Sequence, residues 1–214
     1  MMGLRERKKE ETRRAILEQA ARLFEAKGYQ QVTTAEIARA AGIAEGTLFN
    51  YYRNKGELFV AAVMPPSDDP QAADIVLSQM SARHLTATIV AMLDQELAKM
   101  KQVSRGLLRD YFALVYSGAS IDSAEARSGL FAADDRMLQQ MIAFLEVQRE
   151  AYPEALAELD MQTASTCIFG CVVTLLSQYV LMEEWTYEAL LQAMHDQILF
   201  VLTGHIREDV SNRR

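Results

Sequence analysis

The chain has 214 residues, half of them hydrophobic, with 22 Lys/Arg against 29 Asp/Glu and a formal net charge of −7. That length suits two small domains or one larger one, and ten glycines, four prolines and almost no β-branched alternation argue against a β-rich fold and for an all-α protein. The basic start is followed by no apolar stretch, so no secretion signal is read and a cytoplasmic protein is expected.

In chain order, a first helix is predicted from about Glu11 to Lys27, with Ile16, Leu17, Ala20, Leu23 and Phe24 as its buried stripe. Thr33 or Thr34 can cap a second helix, since Glu36 stands at the capping-box spacing from Thr33. Ile37 and the alanines at 38, 40 and 41 give that helix an apolar side with little bulk, so another helix can cross close by. Gly42 ends it, because glycine adopts a left-handed backbone at low cost. Ile43 and Leu48 turn apolar side chains back toward the second helix, while Thr47, Asn50 and Tyr51 share the opposite face. A hydroxyl, an amide and a phenol there suit phosphate oxygens and base edges. Two short helices around a glycine turn read as a helix-turn-helix for a DNA major groove. A fourth helix, Lys55 to Met64, is broken by the Pro65–Pro70 segment.

At Gly42-Ile43, Gly46-Thr47-Leu48-Phe49 and Tyr51-Tyr52-x-Asn54-Lys55-x-Glu57-Leu58, with Leu23-Phe24-x-x-x-Gly28-Tyr29-x-x-Val32-Thr33 upstream, the sequence resembles the TetR family of transcriptional regulators. The resemblance covers roughly residues 10–64. It implies a three-helix DNA-binding head over 9–66 and a helical effector-binding and dimerisation domain over 67–214. It also implies a homodimer that represses transcription. Carried over by position, Thr33, Thr34, Thr47, Tyr51 and Lys55 are expected at backbone phosphates, and Ala44, Glu45, Gly46 and Asn50 near bases. Many relatives have a serine and then a basic residue where this chain has Ala44 and Glu45. Asn50 replaces an aromatic common in the family. These departures set its operator sequence apart.

Charge is divided unevenly. Residues 1–64 carry 11 Lys/Arg against 8 Asp/Glu, and the remainder 11 against 21. A positive head on an acidic body orients the molecule toward a polyanion. Arg5, Arg7, Lys8, Lys9, Arg13 and Arg14 read either as a solubilising tail or, beside the helix-turn-helix, as an arm on phosphates or in the minor groove.

Beyond the break, helices are predicted over 72–102, 104–117, 123–150, 161–182 and 186–206, with Gly118, Pro153 and Glu183-Glu184 as stops. Cys167 to Met182 is apolar nearly all round, yet its sixteen residues fall short of the about 20 of a membrane span. Such a helix must be covered on every side. Cys171, Leu175, Leu190, Met194, Ile198 and Val201 are therefore the expected dimer seam, a four-helix arrangement from two subunits. A dimer reads a palindromic operator in double-stranded DNA, and a small molecule altering the spacing of its heads would release it.

An apolar or amphipathic effector is expected among Tyr111, Phe112, Tyr116, Met141, Phe144 and Tyr179, with Arg109 for an anionic headgroup and Gln178 either orienting a ligand or bonding across the dimer. For the aromatic and Met stripes, as for Phe131 and Phe169, packed core is the plainer reading. Cys167 and Cys171 stand too far apart on one helix for a relaxed disulfide and read as buried thiols. His84, His195 and His205 have no ligand spacing, so neither metal nor cofactor is expected. No phosphate-cradling loop, dinucleotide fingerprint or nucleophile elbow supports an enzyme. A purely architectural DNA-binding dimer is the other alternative.

Overall fold

The computed structural model describes residues 3–64, 75–117 and 124–207, with the side chains of 4, 99, 115–117 and 124–136 outside that description. The Pro65–Pro70 break and Gly118 lie outside the described residues. All regular structure among the described residues is helical: α1 Leu4–Gln31, α2 Thr34–Ala40, α3 Glu45–Leu48, α4 Lys55–Val63, α5 Ala82–Leu97, α6 Arg105–Ser117, α7 Ala124–Ala151, α8 Met161–Leu181 and α9 Tyr187–Leu202. The chain forms two compact units, 1–66 with 99–132 and 67–98 with 133–214.

In the first unit, Ile16, Ala20 and Phe24 of α1 are buried with Ile37, Ala38, Leu48, Tyr52, Leu58, Phe59 and Val63, and Leu17 and Leu23 pack at the edge. Phe24 meets Phe59 edge-on, with ring centroids 4.9 Å apart. Burying a side chain of that size contributes roughly 1.5–3 kcal/mol. Helix α1 is interrupted at Gly28, whose φ of 75° is open to glycine at little cost, one residue beyond the predicted end at Lys27. The amide freed by that break, on Tyr29, donates to Asp110 Oδ2 at 2.9 Å. Asp110 belongs to α6, which also supplies Leu107 and Leu114 to the same core. A boundary at residue 66 leaves α6 out of the head, whereas the compact unit includes it because these two leucines complete the apolar surface of α1 and α4.

The basic start forms the first turns of α1 rather than an extended arm. Gly3 N–H donates to Glu6 Oε2 at 3.0 Å, and Arg7–Glu11 and Arg14–Glu18 pair one turn apart at 3.7 and 4.0 Å. Alternating charge at this spacing favours helix over coil.

In the second unit, α9 packs on both α5 and α8. The helix predicted from residue 72 begins only at Ala82, because Ser81 caps it by accepting the His84 N–H at 3.2 Å. The residues just before are irregular, and their backbone is held by side chains. Leu77 N–H donates to Gln148 Oε1 at 3.0 Å, and the Gln148 amide donates to the Ile75 carbonyl. The Tyr152 hydroxyl donates to the Leu77 carbonyl. Gln148 is fully buried, so this pairing satisfies an amide that would otherwise be costly to desolvate.

Of the residues expected at the dimer seam, Leu175, Leu190, Met194 and Ile198 are buried inside their own unit, and Cys171 and Val201 are half-buried. The outward stripe of α8 is Thr163, Cys167, Gly170 and Thr174, and Phe200 on α9 is 83% exposed. Small, weakly polar residues made that stripe inconspicuous beside the larger inward one. Cys167 is accordingly exposed, not buried as expected, and burial pushes the Cys171 thiol upward. The length argument against a membrane span also fails, since α8 has 21 residues and is apolar enough to cross one. Its inward face, with Ile168, Val172, Leu175 and Tyr179, is nonetheless buried within the unit.

Candidate nucleic-acid interface

The turn between α2 and α3 forms as the sequence predicts. Thr33 Oγ1 accepts the Glu36 N–H at 3.2 Å, and the Glu36 carboxylate accepts the Thr33 N–H at 3.0 Å. Lys27 Nζ stands 2.9 Å from the other Glu36 oxygen. The hydrogen bond from Lys27, followed by those from Thr33, holds the Glu36 carboxyl down at about 2. At the far end of α2, Gly42 N–H donates to Arg39 O at 3.2 Å and Ile43 N–H to Ala38 O at 3.0 Å. With Gly42 at φ 69°, this is the paired bonding of a Schellman C-cap.

Helix α3 is a single turn that continues as tight turns. Asn50 N–H donates to Thr47 O at 3.1 Å and Tyr51 N–H to Leu48 O at 2.9 Å. These three-residue bonds carry the rod on past Leu48. Leu48 is buried against α2 and Ile43 is half-buried beside it. On the outer side, Ala44, Glu45, Gly46, Phe49 and Asn50 are exposed, and Thr47 and Tyr51 are half-exposed. A Cβ added at Gly46 would meet nothing within 4 Å, so this face is open to close approach.

Asn54 caps α4 by accepting the Glu57 N–H at 2.8 Å. The next residue, Lys55, lies back on the end of α1. Its ammonium stands 4.4 Å from the centroid of the Tyr29 ring and donates to the Gln30 carbonyl at 3.3 Å. Desolvation lowers its pKa, while the Asp110 carboxylate acts in the opposite sense. The Tyr29 phenol is pushed upward by burial and then by Asp110. Buried Tyr52 accepts from Arg13 Nε at 3.4 Å.

Of the residues expected at phosphates, Thr33 is engaged in the capping box, and the Thr34 hydroxyl donates to Glu45 Oε1 at 2.6 Å. Thr47 on α3 and Tyr51 in the turns that continue it are half-exposed, and Lys55, also half-exposed, lies against the end of α1. Sequence reasoning missed Tyr29, Gln30 and Asp110, the surroundings of Lys55. Asp110 carries no local signal, being 81 positions from the amide that it binds.

The candidate effector residues divide between the units. Arg109, Tyr111 and Phe112 lie on α6 in the first, and Tyr111 packs against the core of the head. Met141, Phe144, Gln178 and Tyr179 lie in the second, where Met141, Phe144 and Tyr179 are buried. The Tyr116 and Phe131 side chains lie outside the described residues. Among the described residues no cluster of three or more His, Cys, Asp or Glu is placed to hold a metal ion.

Comparison with known proteins agrees with this geometry. The family described as bacterial regulatory proteins, tetR family, matches residues 16–62, the stretch from the middle of α1 to the end of α4. The HTH-type transcriptional regulator SrpR of Pseudomonas putida is 31% identical over 170 residues, covering 78% of this chain and 74% of SrpR. Among solved structures, NalD, the secondary repressor of the MexAB-OprM multidrug efflux pump in Pseudomonas aeruginosa, superposes with a TM-score of 0.60 at 20% identity, covering 94% of this chain and 98% of NalD. FadR from Bacillus subtilis, in complex with stearoyl-CoA, gives 0.58 at 19% identity, covering 90% and 98%. These relatives are regulators rather than enzymes, and the helix-turn-helix lies within the residues that the family matches. The chain belongs to the TetR family and is a DNA-binding transcriptional regulator.

Proposed function

We propose that this chain is a repressor that occupies a palindromic operator as a homodimer and leaves it when a small molecule binds. The observation that carries the DNA part is the exposed, side-chain-diverse face of α3, with Leu48 anchoring its back. Glu45, Gly46 and Asn50 approach bases, and Thr47, Tyr51 and Lys55 approach phosphates, with Ala44, Thr33 and Thr34 at the margins. The DNA-binding part spans 9–66, supported by α6, and residues 67–214 hold the effector and the partner subunit. The protein acts in the cytoplasm, where its operator is.

Two half-sites about 34–36 Å apart, or a multiple of that, match two such heads. An effector with a preference for the wrong head spacing weakens operator binding by its differential affinity, typically about 1–3 kcal/mol. Repression and a ligand response are supported by NalD's description as a repressor and by the stearoyl-CoA bound to FadR.

In vitro selection from random duplex DNA at near-physiological salt tests the first half. Recovery of one palindrome is expected; a pool without a motif would remove sequence-specific regulation. Effector screening then follows release of that operator.

A further inference from the structure

Glu45 is an unusual residue to find on a face turned toward a polyanion. It is the first residue of α3, it is exposed, and it follows Ala44, which offers no side-chain cap. Its carboxylate does not close its own helix. Oε1 instead accepts the Thr34 hydroxyl at 2.6 Å, across the turn and 11 positions away. Among the described residues no hydrogen bond to Oε2 accompanies this one. The side chain is therefore held by α2 while its second oxygen is left to accept from something else.

A carboxylate is repelled by phosphates, so in a groove it is stable only against hydrogen-bond donors. The major-groove edge offers two kinds, the N4 amine of cytosine and the N6 amine of adenine. Beside adenine N6 lies the N7 acceptor, which repels the second carboxylate oxygen. On its own ring cytosine N4 has only the C5–H beside it, and the paired guanine O6 on its other side has its counterpart in the thymine O4 beside adenine N6, so the N7 acceptor is what separates the two. Gly46, with open space where its Cβ would be, lets the backbone come close enough for this short reach.

We infer that Glu45 selects a cytosine in each half-site and that the Thr34 hydroxyl positions it. Thr34 thus acts through Glu45 rather than on a phosphate. The inference rests on the reading that α3 enters the major groove.

The same selection, run on the full-length wild type, Glu45→Gln and Thr34→Val, tests it, with melting curves verifying folding. The wild-type motif is expected to hold cytosine at one position per half-site, with any other base there binding about tenfold more weakly. Glu45→Gln is expected to shift that position toward adenine, whose N6 and N7 match an amide. Thr34→Val is expected to keep the motif while shrinking the cytosine preference at that one position. A wild-type motif that Glu45→Gln leaves unchanged at every position would overturn the role of Glu45. A uniform loss across all sequences in Thr34→Val would make Thr34 a phosphate contact instead. Absence of any wild-type motif would sink the operator reading itself, and this inference with it, a result distinct from the other two.

Discussion

Lys55 has two sets of partners to choose between, and its present one is internal. The ammonium rests on the Tyr29 ring and the Gln30 carbonyl, which use one of its three donors and leave others for a phosphate. Lys55→Ala is expected to weaken binding to every duplex and to lower the salt slope by about 0.9 for the one phosphate lost. Titrations at several salt concentrations measure it, and an unchanged slope would leave Lys55 a purely internal cation. Glu36 makes a second case at this scale. Its carboxyl, ordinarily near 4.5, is held at about 2, so its contribution is complete above 4.5 and disappears as pH falls toward 2. The melting temperature of the wild type is therefore expected to exceed that of Glu36→Gln above pH 4.5, with the gap closing between about 4.5 and about 2. A gap that persists below that window would mean that the Lys27 and Thr33 hydrogen bonds do not set the shift.

At the scale of elements, the α2–α3 turn depends on one backbone state. Gly42 has φ 69° and open space around its absent Cβ, so a substitution there meets backbone strain and no clash. Gly42→Val is expected to cost at least about 1–2 kcal/mol, read as a lower melting temperature. A variant that melts as the wild type does would show that the C-cap contributes nothing to the fold. This turn was legible in the sequence because its signals are local: a capping box, a glycine and two apolar anchors within sixteen residues. The rest of the head was not. Leu107, Leu114 and Asp110 come from a helix some forty residues beyond the end of α4, and nothing in their own neighbourhood distinguishes them from any amphipathic stripe. The outward side of α8 was hard to read for a related reason. In α8 the large apolar residues pack inward, and the outward face is composed of small ones that a search for hydrophobic periodicity passes over. The late start of α5 was hidden too, because Gln148 and Tyr152 hold the preceding backbone from 71 to 75 positions away.

At the scale of the whole molecule, Phe200 is the residue most out of place in a monomer, an aromatic ring 83% exposed on α9. The proposed homodimer would cover it, and a single ring brings 150–250 Å² of surface, about as large a hydrophobic contribution as one residue makes. Phe200→Glu is expected to give a monomer in sedimentation and to lose operator affinity, as one head alone spans one half-site. A dimeric Phe200→Glu that still binds its operator would move the seam elsewhere. The uneven charge acts at this scale as well: the acidic remainder of the chain disfavours approach to DNA other than by the head, so added acid on residues 1–64 is more harmful than the same charge placed beyond them.

The bond from Tyr29 to Asp110 has a consequence for how the protein is made. A ribosome delivers residues in order, and the head's α1 to α4 emerge well before the helix that supplies Leu107, Asp110 and Leu114. Until those arrive, the nascent head has an exposed apolar flank and an unanswered amide at the Gly28 break. At about 5–20 residues per second, that interval lasts several seconds. The part of the chain that reads DNA is thus translated first and completed later, and its competence is tied to the synthesis of the region that follows it.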